Sequence, residues 1–80
     1  MIFWSKCWYK NGLLHRDNDL PAEKNSKGNK FWFQNGKLHR VLGAAVEVFD
    51  GRKEWYYEGK WVKVDNQKDF EMWLKLQLAL

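Results

Sequence analysis

His15, Arg16 and Asp17 form the tripeptide in this chain most suggestive of chemistry, because a His-Arg-Asp run opens the catalytic loop of protein kinases. That loop needs an Asn five residues after its Asp, and here the position is Ala22. Asp17-Asn18-Asp19 reads like the start of a calcium loop. Pro21, however, holds the fifth position, and Ala22 stands at the sixth, where a sharp turn requires Gly. Zinc would have to recruit Cys7, His15 and His39, which contain no close ligand pair. Nowhere do a nucleophile and base, two carboxylates or a ligand cluster stand at usable spacing, so the sequence points away from an enzyme and requires no cofactor.

Residues that recur are a stronger lead. His15-Arg16 and His39-Arg40 occupy equivalent places, and a Glu follows each His eight residues on, at Glu23 and Glu47. One reading is structural: each Arg forks onto its Glu across neighbouring strands while the His packs on an aromatic layer. The other is functional: Arg16, Arg40 and Lys63 form a cationic row that meets an acidic partner. Trp4, Trp8, Trp32, Trp55 and Trp61 alternate with basic residues, which suits either bases stacking on indoles or Trp as the core of a repeated hairpin. In Phe31-Trp32-Phe33 and Trp55-Tyr56-Tyr57, three aromatics follow one another. Strand side chains alternate faces, so aromatic surface must lie on both sides of a sheet. Any of it left uncovered, with Trp55 and Tyr57 as anchors, is a candidate binding patch.

These residues sit on an internal repeat. Trp8-Tyr9-Lys10-Asn11-Gly12-Leu13-Leu14-His15-Arg16 returns at an offset of 24 as Trp32-Phe33-Gln34-Asn35-Gly36-Lys37-Leu38-His39-Arg40. A degraded third copy, Trp55-Tyr56-Tyr57-Glu58-Gly59-Lys60-Trp61-Val62-Lys63, follows at an offset of 23. The extra residue of the first unit is placed in Lys24-Asn25-Ser26-Lys27-Gly28, opposite Val48-Phe49-Asp50-Gly51, because turns tolerate length changes best. Asn11-Gly12 and Asn35-Gly36 supply the two positive φ angles of a type I′ hairpin turn; Asp50-Gly51 is expected to do the same, and Glu58-Gly59 is a poorer version. From Asn66 on there is no Gly, Pro or β-branched residue, and Asp65 or Asn66 can cap a helix. Phe70, Trp73, Leu74 and Leu78 keep helical spacing, with Met72, Leu76 and Leu80 widening the apolar face. The expected fold is mainly β: an antiparallel meander of tandem β-hairpin repeats, about eight short strands, closed by one C-terminal α-helix. It forms one domain, with units near 8–31, 32–54 and 55–65 and the helix near 66–79.

The repeated phrase resembles a family of tandem repeats found in bacteriophages, large DNA viruses and some bacteria, which runs Trp-Tyr-x-Asn-Gly-x-x-His-Arg-x-Asp-Gly-Pro-Ala-x-Glu. In style it is similar to the MORN repeat, a hairpin module of like length. The resemblance spans residues 4–63. It departs where Asp-Gly-Pro-Ala is replaced by Asn18-Asp19-Leu20-Pro21 and by Leu42-Gly43-Ala44-Ala45, which marks that loop as remodelled. It implies a hairpin array with an interaction role and no reaction. The expectation that follows is a small phage-type factor that binds and inhibits a host defence protein, such as a nuclease complex, through an acidic face. Alternatives are a single-stranded nucleic-acid binder and a MORN-like structural or membrane-surface adaptor.

Composition sets the frame for these readings. Six Trp, five Phe and three Tyr in 80 residues give a short chain the means to build a dense core. Cys7 is the only cysteine, so no intramolecular disulfide forms, and a reducing, cytoplasmic setting is expected, the host cytoplasm if a phage encodes it. Lys6 interrupts the apolar start, which argues against a signal peptide, and no run approaches the roughly 18 apolar residues of a membrane span. Fourteen Lys and Arg against ten Asp and Glu leave a net charge of +4, spread without a block. Self-association through the C-terminal helix or an open sheet edge is a further expectation.

Overall fold

The computed structural model describes residues 3–79. Ten short antiparallel strands precede one helix: β1 (Ser5–Cys7), β2 (Tyr9–Lys10), β3 (Leu13–Leu14), β4 (Glu23–Asn25), β5 (Lys30–Phe31), β6 (Phe33–Gln34), β7 (Lys37–Leu38), β8 (Val46–Glu47), β9 (Lys53–Tyr57), β10 (Lys60–Val62) and α1 (Gln67–Leu78). Six of the strands make one meander, β1-β4-β5-β8-β9-β10, while β2-β3 and β6-β7 stand as separate hairpins. The count exceeds the expected eight because the ladder breaks at Trp8 and at Trp32, whose N–H groups turn aside to donate to Ala22 O and Ala45 O, each at 2.8 Å. Those two alanines are fully buried, which leaves room for only a small side chain at either place. Past Trp55 the strand runs on unbroken.

The repeat is visible in backbone angles. Asn11 and Gly12 have φ of 52 and 79, Asn35 and Gly36 have 52 and 82, and Glu58 and Gly59 have 49 and 85. All three hairpins therefore turn through the same left-handed pair, Glu58 included, although Glu pays for that conformation and Asn largely does not. Each turn rests on the hairpin before it: Gly36 N donates to Leu14 O and Gly59 N to Leu38 O, both at 2.8 Å. A Cβ at Gly36 would only touch Leu13 Cδ2, at 3.4 Å, so glycine is called for there by the left-handed φ of 82 and not by lack of space.

Two details correct the sequence reading. Asp50-Gly51 is not a two-residue left-handed turn. Only Gly51 has positive φ, and the bend is closed by Gly51 N donating to Val48 O at 2.9 Å, the same geometry as Gly28 N to Asn25 O at 3.0 Å. These two turns are thus equal in length. The extra residue of the first unit lies earlier, in the segment from Arg16 to Pro21, which is one longer than the segment from Arg40 to Ala44. Pairing shows this: Glu23 lies opposite Phe31 as Val46 lies opposite Glu54, so Val46, not Glu47, is the counterpart of Glu23.

The helix begins where expected. Asn66 is the N-cap, its Oδ1 accepting from Asp69 N at 2.8 Å while its Nδ2 donates to Asp69 Oδ2. Phe70 and Leu74 enter a core with Ala44, Trp55 and Val62, and Tyr57, Val64 and Trp73 pack against it. Met72, Leu76 and Leu78 are instead exposed, and Leu80 lies outside the described residues. Repeats that contact only their neighbours need closed ends, and α1 supplies one by covering the third unit. Among the described residues no helix is long and apolar enough to cross a membrane.

Candidate functional site

In the second unit the guanidinium of Arg40 lies over Trp32, its Cζ 3.9 Å from the ring centroid. Every edge of it is used. Nη1 donates to Ala44 O at 3.0 Å and Glu47 Oε2 at 3.1 Å, while Nε and Nη2 reach Asp19 Oδ1 and Oδ2 at 2.9 and 3.1 Å. Asp19 is brought there by two successive left-handed residues, Asn18 (φ 65) and itself (φ 57), types that tolerate this conformation. It serves twice, since its carbonyl also accepts the Trp32 indole N–H at 3.0 Å. Gly43 is needed for a close approach: a Cβ there would stand 2.7 Å from Arg40 Cζ. Beside this assembly opens a groove of about 560 Å³, lined by Asp19, Trp32, Lys37, His39, Arg40 and Leu42 among others.

The first unit repeats the stack in a different electrostatic setting. Arg16 Cζ sits 3.7 Å from the Trp8 centroid, and its Nη1 donates to Pro21 O at 3.2 Å as Arg40 does to Ala44 O. No carboxylate pairs with Arg16 among the described residues; Lys6 and Lys24 instead place their Nζ atoms 5.1 and 5.6 Å from the same indole. The expected pairing of Arg with Glu is therefore present between Arg40 and Glu47, through a single bond from Nη1 with the fork itself going to Asp19, and is absent between Arg16 and Glu23. The register explains it. Lys24 pairs with Lys30 as Glu47 pairs with Lys53, so Lys24 occupies in the first unit the place that Glu47 has in the second.

No family model, curated protein or solved structure matches this chain.

The remaining expected site residues are dispersed. Trp55 is 5% exposed, its indole N–H held by Gln67 Oε1 at 2.8 Å, so it belongs to the core and is closed to a partner. Tyr57 lies between His39, 4.9 Å away, and Trp73, 5.8 Å away, and ties the second unit to α1. Lys63 is exposed and lies over Trp61, 5.9 Å from its centroid, rather than over Trp55. Arg16, Arg40 and Lys63 thus share a repeat position without sharing an environment, and the expected row of three free cations is not formed.

A different cationic row is present. Cross-strand partners Lys6, Lys24, Lys30, Glu47 and Lys53 follow one another over five strands of the main sheet, four lysines to one glutamate. The sequence carried a signal for three of them, because Lys6, Lys30 and Lys53 each stand two residues before the Trp of a unit. Lys24 belongs to the row only through strand pairing.

Both histidines join units. The 8%-exposed His15 accepts the Asn35 N–H at Nδ1 (3.0 Å), which leaves the proton on Nε2 to donate to Asp17 Oδ1 at 2.8 Å. His39 Nδ1 likewise accepts Glu58 N–H at 2.9 Å. Each ring thus replaces a backbone acceptor for the turn of the next unit. Val62 takes the same place in the last unit, where α1 follows instead of a further turn. The Asp17 carboxyl is held below its ordinary range, chiefly by the hydrogen bond from His15, and burial keeps His39 below the usual imidazole value against the pull of Glu58.

Proposed function

We propose that this chain is a non-catalytic protein-binding module. The observation that carries the reading is a row of apolar pairs on the three stacked hairpins: Tyr9 opposite Leu14, Phe33 opposite Leu38, and Tyr56 opposite Trp61. Cross-strand partners share a side of the sheet, so each hairpin presents one aromatic and one further apolar side chain at the same place. Tyr9 is 65% and Trp61 53% exposed, and the other four are half-buried. Aromatic surface on a rigid scaffold loses little entropy on contact, which is what protein interfaces favour.

The lysine row supports a second reading, single-stranded nucleic acid. Stacking platforms weigh against it: Trp8 and Trp32 are already covered by arginines, and Trp55 is buried. Inhibition of a host defence protein, such as a nuclease complex, is the finer form of our proposal and rests on the likeness of the repeat phrase to bacteriophage repeats.

Titration with single- and double-stranded oligonucleotides at about 50 and 200 mM salt tests the choice. We expect weak binding that vanishes at the higher salt. Sub-micromolar affinity surviving at roughly 150 mM would replace protein by nucleic acid as the partner.

A further inference from the structure

The second unit shows how this repeat holds an acidic loop, and the first unit presents the same receptor without one. Arg16 and Arg40 stack on their indoles at 3.7 and 3.9 Å and turn Nη1 to the equivalent carbonyls of Pro21 and Ala44, so the Nε and Nη2 edge faces the same way in both. At Arg40 that edge takes the Asp19 carboxylate, and the Trp32 indole N–H takes the Asp19 carbonyl. At Arg16 the same edge and the Trp8 indole N–H have no acceptor among the described residues. The local charge is also reversed. Where Glu47 helps neutralise Arg40, Lys24 stands beside Arg16 directly opposite Lys6, a like-charge cross-strand pair that costs stability. The nearby acids are turned elsewhere: Asp17 is bonded to His15, and Glu23 lies opposite Cys7.

We propose that Trp8, Arg16, Lys6 and Lys24 form a receptor site for an aspartate-bearing loop of a partner protein. The carboxylate forks onto Arg16, and the backbone carbonyl of the same residue accepts the Trp8 indole N–H. This deepens the protein-binding reading above and rests on it. An aspartate is favoured over a phosphate because the site reads two groups of one residue, a planar carboxylate and its own carbonyl, spaced as Asp19 spaces them.

The full chain, with isotope-labelled Trp and Arg side chains, is titrated with a synthetic peptide copying residues 17–22, which contain Asp19, and with the same peptide carrying Asn at that place. The Trp8 indole and Arg16 Nε signals should shift saturably with the Asp peptide and respond roughly tenfold more weakly to the Asn peptide, the ratio expected when a charge-assisted bond becomes a neutral one. Lys24→Glu rebuilds the arrangement of the second unit, where Arg40 takes Asp19 with Glu47 beside it, so it should weaken the response through lost positive charge while leaving it saturable, without lowering the melting temperature. Arg16→Ala should abolish it. Equal responses to the two peptides, or an unchanged response in Arg16→Ala, would overturn the site; so would inorganic phosphate or an oligothymidylate outcompeting the peptide there. Tight oligonucleotide binding at physiological salt would sink the protein-binding reading as a whole. Silent Trp8 and Arg16 signals without such binding would sink this site alone.

Discussion

Asp19 and Arg40 form a two-pronged ion pair across the boundary between the first and second units, at 2.9 and 3.1 Å, on a guanidinium whose side chain is 15% exposed. The pair locks a loop of one unit onto the tryptophan of the next. Because Glu47 and Ala44 O share the same Arg, its removal orphans several acceptors together.

Arg40→Ala should therefore lower stability by about 1 to 3 kcal/mol, the cost of leaving partly buried acceptors unpaired. Arg16→Ala, with no carboxylate to orphan among the described residues, should cost less than about 1 kcal/mol. Urea unfolding of the two variants gives the comparison. A double-mutant cycle with Asp19→Ala should show coupling at Arg40 and none at Arg16.

Glu58 occupies the turn position that Asn fills in the other two hairpins, at φ 49. Its backbone N–H, not its side chain, makes the contact to His39. Glu58→Asn should keep that bond and relieve left-handed strain, raising stability by roughly 0.5 to 1 kcal/mol. A lower melting temperature would mean that the Glu58 carboxylate has a role beyond the turn.

His39 is held below its ordinary value of 6.5, first by burial, with Glu58 opposing. The unfolded chain then takes up a proton before the folded one as pH falls. His39 thus contributes full stability above that ordinary value, and the contribution is lost as pH drops from there toward the folded value. Melting temperature followed downward from neutral pH should decline over that window. His39→Gln, whose amide oxygen can still accept from Glu58 N, should flatten the decline.

How much was legible beforehand depended on range. The hairpin turns followed from Asn-Gly pairs, the helix from its residue types and the Asn66 cap, and the tandem architecture from the Trp-to-Arg phrase, because each is decided by backbone sterics or hydrogen bonds within a few residues. Of the site, the pairing of Arg40 with Glu47 was legible as a repeated spacing. The same spacing misled at Arg16 and Glu23, since a one-residue difference in a loop shifts strand register and exchanges a carboxylate for Lys24.

What the sequence by itself determined, then, was the unit: its turns, its helix and the tryptophan at its head. Only the tertiary structure decided which face of each unit is open. Trp55 and Trp8 hold the same place in the phrase, yet α1 folds over one and leaves the other beside three cations. Burial and local charge are set by elements far apart in the chain, and a spacing pattern carries no information about which of them will pack there.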